Sequence, residues 1–270
     1  MNRLIIIALS LIINLTGMAQ EISLMTYNIR YDNPRDGVNR WDNRKDFLTK
    51  QVLFHEPDVM GVQEALHHQV KYIDEALIDY SYVGVGRDGK EKGEYSALFF
   101  KKSFEVLDQG TFWLSETPEK ISVGWDASMA RICTYAKLRR GEDILWVFNT
   151  HFDHIGQKAR EESAALIIQM IERKTNLSEN VVLMGDLNLQ PTSEPIQYLA
   201  TKMEDTYNSP ISFGPDGTFN GFDISKPVTR RIDYIFVGGL NLIKYAVLSD
   251  NEDLRYPSDH LPVIAIVAFK

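Results

Sequence analysis

Apolar and β-branched residues gather along the chain in short runs at 22–27, 59–62, 97–100, 132–138, 144–149, 181–184, 232–237, 242–248 and 263–269. Runs this short, bounded by polar and turn-forming residues, predict strands rather than helices. Two further segments carry the helical period: 44–54 places Phe47, Leu48 and Val52 on one face, and 159–171 repeats apolar positions at helical spacing. Asp42 or Asn43 is expected near the cap of the first of these helices. Strands interleaved with helices predict an α/β fold. The pair 132–138 and 144–149, joined through Arg139-Arg140-Gly141-Glu142-Asp143, reads as antiparallel, so the sheets should be mixed. Consecutive strands lie too close for a crossover helix each time, which excludes a strict βα barrel.

The run at 181–184 has no polar alternation, as expected of a strand covered on both faces. It stops at Gly185-Asp186-Leu187-Asn188. Such a tip can deliver polar groups to a site; equally, Asp186 can close a turn and Asn188 cap the next segment. Other strand tips repeat the pattern: Tyr27-Asn28, Gln63-Glu64, Asn149-Thr150-His151-Phe152-Asp153-His154, Asp233, and Ser258-Asp259-His260. One tip alone is ordinary. Six built from Asn, Glu, Asp and His call for a common purpose, because burying carboxylates without partners is unfavourable.

Composition narrows that purpose. Of 270 residues, 44% are hydrophobic and 24% charged, as in a globular protein, and the formal charge is −8. That balance disfavours a broad basic face for long nucleic acid but permits a local basic patch. Arg3, the apolar run 4–15 and Gly17-Met18-Ala19 have the parts of a secretory leader, with cleavage expected after Ala19. The expected organisation is therefore a signal peptide at 1–19 and a single domain at 20–270. The protein would be exported, periplasmic or extracellular, with no stable membrane anchor and no evident obligate protein partner. The single cysteine, Cys133, has no internal disulfide partner and reads as a small core residue.

Oxygen donors with few histidines suit a hard cation such as Mg²⁺ or Mn²⁺, and the histidines remain for proton transfer or for polarising a phosphate. Phosphoester hydrolysis needs these parts together. In their order along the chain, Met25-Thr26-Tyr27-Asn28, Gln63-Glu64, Thr150-His151, Gly185-Asp186-Leu187-Asn188, Arg231-Ile232-Asp233-Tyr234 and Ser258-Asp259-His260 resemble the endonuclease/exonuclease/phosphatase superfamily, over about 22–270. The resemblance implies a DNase I-like four-layer sandwich of two packed mixed sheets flanked by helices.

It also implies roles. Glu64 would be the main metal ligand, with Asn28 and Asp259 completing or supporting it. His260 would be the general base or hold the scissile phosphate, oriented by Asp233. Asp186 would align the attacking water or aid the leaving group. Asn188 and His151 would donate to phosphate oxygens, and Arg131 matches a phosphate-contacting arginine in some members.

The expected activity is hydrolysis of a phosphodiester, or of a phosphomonoester, by direct attack of water. Nucleic acid, a phospholipid head group, or a phosphorylated sugar or inositol would be the substrate, and a nuclease or a sphingomyelinase-like enzyme are branches of this class. Two other readings are a silent phosphate-binding module on the same scaffold and a binuclear hydrolase using His151, Asp153 and His154. Asp153 and His154 fit local hydrogen bonding better. The segment Thr218-Phe219-Asn220-Gly221-Phe222 is a candidate substrate-facing loop whose aromatics can stack on a base or sugar.

Overall fold

A computed structural model describes residues 20–270 apart from 176 and 178; the leader expected at 1–19 lies outside the described residues. In chain order the elements are β1 (Glu21–Asn28), α1 (Lys45–His55), β2 (Val59–Ala65), α2 (His67–Ala76), β3 (Tyr80–Val83), β4 (Tyr95–Lys101), β5 (Glu105–Trp113), β6 (Ile132–Arg140), β7 (Asp143–His151), α3 (Gln157–Lys174), β8 (Val181–Asp186), α4 (Glu194–Lys202), β9 (Glu204–Asp205), β10 (Ile211–Phe213), β11 (Asp233–Gly238), β12 (Leu240–Val247) and β13 (Val263–Phe269). They form a seven-stranded sheet ordered β10-β12-β13-β1-β2-β4-β3 and a six-stranded sheet ordered β5-β6-β7-β8-β11-β9. Both are mixed: β1 runs parallel to β2 but antiparallel to β13, and β8 parallel to β7 but antiparallel to β11.

Side-chain alternation explains the layers. Along β8, Val182 and Met184 enter the core between the two sheets, whereas Val181 and Leu183 enter the core beneath α3 and α4. Along β1, Ile22 and Leu24 face the other sheet while Met25 and Tyr27 face α1 and α2. A strand with both faces covered has no solvent side to mark with polar residues. The result is the four-layer order helix, sheet, sheet, helix. Each fully buried Leu, Ile or Val contributes about 1.5–3 kcal/mol, so the inner strands fix the frame from which the tips project. Cys133 is fully buried in the core under α3. Among the described residues no helix is long and apolar enough to cross a membrane.

Asp42 and Asn43 lie next to the cap of α1, near it as expected, without being the cap: that position is Arg44, without a side-chain bond, and residues 41–43 form a single 3₁₀ turn. Asp42 instead pairs with Lys45, and Asn43 donates to the Val38 carbonyl. The buried guanidinium of Arg44 bonds the carbonyls of Ile29, Arg30 and Pro257, which sets where the helix starts.

Candidate active site

The strand tips converge at one edge of the two sheets. Register brings them there: Asn28 lies beside Gln63, His151 beside Asp186, and Asp233 opposite Asp186. Gly185 makes the close approach possible, since a Cβ there would lie 2.0 Å from the Thr150 carbonyl oxygen. The tips line a cleft of about 690 Å³ that contains Glu64, Arg131, His151, Asp186, Asn188, Asp259 and His260.

Glu64 enters the cleft because the β2–β4 register shifts between Val62 and Ala65, and Glu64 itself adopts a left-handed φ of 63°. Bulges commonly re-aim a side chain in this way, and strained non-glycine backbone of this kind is enriched at functional sites. Its Oε2 accepts from the Tyr31 amide (3.1 Å), and its Oε1 accepts from Asn28 Nδ2 (3.1 Å). The same Asn28 amide donates to Asp186 Oδ2 at 2.9 Å, tying two carboxylates to one side chain. Asn28 Oδ1 accepts the Arg30 N–H, so most of the amide is committed to holding its neighbours. Asp259 faces Arg30 at 3.7 Å. Arg44 clamps the chain after Asn28 to the chain before Ser258, and Ser258 Oγ donates to the Asn28 carbonyl.

His260 is 4% exposed and its Nδ1 lies 2.9 Å from Asp233 Oδ2. That bond orients the ring so that Nε2 faces Asp186 Oδ2 at 3.8 Å. Thr218 also donates to Asp233 Oδ2 (2.5 Å) while its hydroxyl accepts the amides of Ile232 and Asp233. Asp233 Oδ1 is buried and has no hydrogen-bond partner among the described residues. The fully buried carboxylate is thereby directed at the imidazole. Phe219 packs its edge against the His260 ring at 5.1 Å. The loop at 218–222 thus reaches the site, with Thr218 carrying a bond that its sequence context did not single out.

On the other side of Asp186, His151 Nε2 lies 3.5 Å from Oδ2. Asn188, at a left-handed φ of 51°, donates from Nδ2 to the Phe152 carbonyl and to His151 Nε2, while its amide N–H donates to Asp186 Oδ1. Arg131 is buried against Asp153 and His154, with Nη2 3.1 Å from His154 Nδ1. Asp153 accepts from Ile155 and Gly156 on one oxygen and from Ser128 and Arg131 on the other. A carboxylate satisfied this fully has little left to offer a metal, which argues against the binuclear arrangement. Its bonds close the 153–156 turn instead.

Burial and neighbours set the charge states. Burial, with repulsion from Asp233 added and His260 opposing, pushes the Asp186 carboxyl up to about 7. Burial works against charging His260, but Asp233 and Asp186 outweigh it and push the imidazole up to about 10. His151 moves the other way, well below the ordinary histidine value, through burial and the cations Arg131 and His260. Burial raises the Asp259 carboxyl; His260 opposes this and Glu64 adds to it.

Two groups of side chains place ligand atoms within 4.8 Å of one another: Glu64 with His151 and Asp186, and Asp186 with Asp233 and His260. Asp259 is in neither but lines the same cleft. Glu64 and Asp186, tied to one Asn28 amide, with Asp259 lining the same cleft beside Arg30, form a hard, anionic donor set that fits a divalent cation.

The fold and the site together are those of a two-sheet sandwich with carboxylates and imidazoles gathered at one edge. A model of the endonuclease/exonuclease/phosphatase family matches residues 25–260, and the chain belongs to that family. It is similar to a family member from Bacteroides thetaiotaomicron, 36% identical, with a TM-score of 0.90 and 94% of this chain and 99% of that one covered. It is also similar to a mannosyl-6-phosphatase from the same organism, 37% identical, with a TM-score of 0.87 and 92% and 100% covered. An uncharacterised protein of Acanthamoeba polyphaga mimivirus is 25% identical over 257 residues, 85% of this chain and 92% of its own.

Proposed function

We propose that this protein is a divalent-metal-dependent phosphoesterase that hydrolyses a phosphorylated, hydroxyl-rich small molecule by direct attack of water. The observation that carries the reading is the Asp233–His260–Asp186 line beside the Glu64 carboxylate, in one cleft. Monoester hydrolysis is favoured over diester hydrolysis by the likeness to the mannosyl-6-phosphatase.

Glu64 and Asp259, supported by Asn28, would hold Mg²⁺ or Mn²⁺. When bound, the ion supplies Lewis-acid polarisation of the phosphoryl oxygens and neutralises their charge. His260, held charged by two carboxylates, binds and orients a phosphate oxygen through Nε2. Asp186, its carboxyl pushed up to about 7 by burial and Asp233, can take a proton from attacking water near neutral pH. Its Oδ1 is held by the Asn188 amide and its Oδ2 by Asn28 Nδ2, with the two imidazoles facing the same Oδ2. Arg131, with Nε and Nη2 committed to Asp153 and His154, would lend its charge and its remaining nitrogen to the other phosphate oxygens, and Asn188 would reach them by giving up its bond to His151 Nε2. The 1–19 segment supports export, which N-terminal sequencing of the secreted protein would test by finding Gln20 first.

Hydrolysis of p-nitrophenyl phosphate, its bis-ester, mannose 6-phosphate, sphingomyelin and DNA, with EDTA and with Mg²⁺ or Mn²⁺ restored, tests the function. Metal-dependent turnover lost in both Glu64→Ala and His260→Ala is the expected result. Binding of phosphate without turnover of any substrate would point to the silent module instead.

A further inference from the structure

Beside the reaction centre, β3 and β4 are joined by a loop that carries an ion pair into the cleft. Arg87 Nη1 lies 2.8 Å from Glu94 Oε2, and the two side chains are 17% and 16% exposed. Both line the same cleft as Glu64 and His260. The loop is built to hold them. The Arg87 amide donates to the Glu94 carbonyl at 2.9 Å, Gly86 donates to the Lys90 carbonyl at 2.7 Å, and Trp113 Nε1 of β5 pins the Arg87 carbonyl at 2.8 Å. At Gly86 a Cβ would lie 2.0 Å from the Lys92 carbonyl oxygen, so the loop closes this tightly only with glycine there.

The pair has no place in the phosphate chemistry above. Arg87 is neutralised by Glu94, and Glu94 stands in the opposing fields of Glu64 and Arg131. A second phosphate would meet the Glu94 carboxylate along with the guanidinium, so the pair is not a purely cationic phosphate site. A neutral hydroxyl suits both groups. It donates to a carboxylate and accepts from a guanidinium, and Glu94 Oε1 and the other Arg87 nitrogens carry no hydrogen bond from the described residues. Half-buried charged groups of this kind make strong bonds to a hydroxyl that displaces their water.

We infer that Arg87 and Glu94 form the subsite that recognises hydroxyl groups of the leaving alcohol, so that the substrate is a phosphorylated polyol such as a sugar phosphate. The inference rests on the phosphoesterase reading and deepens it. Both residues are specificity-determining: they bind the part of the substrate that departs.

The test compares kcat/KM for mannose 6-phosphate, its monodeoxy analogues and p-nitrophenyl phosphate in the wild type, Glu94→Gln and Arg87→Gln. The ratio of sugar phosphate to aryl phosphate falls about tenfold or more in each variant, mainly through KM. At least one monodeoxy analogue loses as much in the wild type and loses nothing further in Glu94→Gln, the non-additivity expected of direct partners. An equal loss on both substrates in both variants would make the pair structural and overturn the subsite. So would aryl-phosphate turnover by a wild type that ignores sugar phosphates. Failure of the wild type on every phosphoester would overturn the phosphoesterase reading itself and the subsite with it.

Discussion

Two buried histidines flank the Asp186 carboxylate at similar distances, 3.5 Å for His151 and 3.8 Å for His260, and their surroundings drive them in opposite directions. His260 has a second carboxylate on its far nitrogen and is held charged; His151 has Arg131 nearby and is held neutral. Residue type and burial are the same, so the difference lies in what stands behind each ring. One histidine becomes a fixed cation for an anionic substrate. Its counterpart becomes an acceptor that aligns Asn188. Asp186, between them, is left as the group able to change protonation near neutral pH.

That contrast orders the expected effects of mutation. Asp186→Asn and His260→Ala should each lower kcat by about 10²–10⁴-fold, the range for loss of a proton-transfer or transition-state-binding group, with steady-state hydrolysis as the measurement. Asp186→Asn should also lower the His260 pKa, because one of the carboxylates that raise it is gone. His151→Ala should cost far less, about tenfold, since it withdraws one partner from Asn188. Equal losses at the two histidines would erase the distinction.

Thr218→Val probes the group behind His260 more gently. It removes a donor from a fully buried carboxylate, at a cost of about 1–3 kcal/mol in urea unfolding, together with a smaller activity loss than His260→Ala.

The smallest effect concerns the Arg131 side. Burial acts against ionisation of Asp153, yet donors from Gly156, Ser128 and Ile155, with Arg131, hold its carboxyl below the usual carboxylate range. A depressed folded pKa contributes stability that is complete above the unfolded value of about 4 and is lost as the pH falls through the folded one. Asp153→Asn should therefore flatten the acid limb of melting temperature against pH below about 4 while leaving the neutral-to-alkaline slope unchanged.

The interior of both sheets was legible in the sequence, and the edges were not. The apolar runs at 22–27, 59–62, 97–100, 132–138, 144–149, 181–184, 232–237, 242–248 and 263–269 fall on β1, β2, β4, β6, β7, β8, β11, β12 and β13, all of them interior strands. The strands without such a run, β3, β5, β9 and β10, are the four edges. An edge strand pairs on one side and is often wet on one face. β5 alternates exposed and half-buried positions, and β10 is exposed throughout. Their hydrophobic signal is correspondingly thin. Of the helices, α2 and α4 were not legible in the sequence; they are short, at ten and nine residues, and each buries only three side chains, which leaves little apolar period to read.

The strand-tip groups were visible because they interrupt interior runs. Thr218 stood out only as part of a candidate loop and not for its bond to Asp233, and Arg44, Arg87 and Glu94 carried no comparable mark, since their partners lie far along the chain or across a loop whose closure depends on tertiary contacts.

The split protonation around Asp186 lies at the centre of the mechanism, and nitrogen-15 NMR of the histidine side chains in metal-free protein at about pH 8 tests it directly. The prediction is a His260 ring protonated on both nitrogens and a neutral His151 ring protonated on Nδ1 alone. Two neutral rings, or a charged His151, would contradict it.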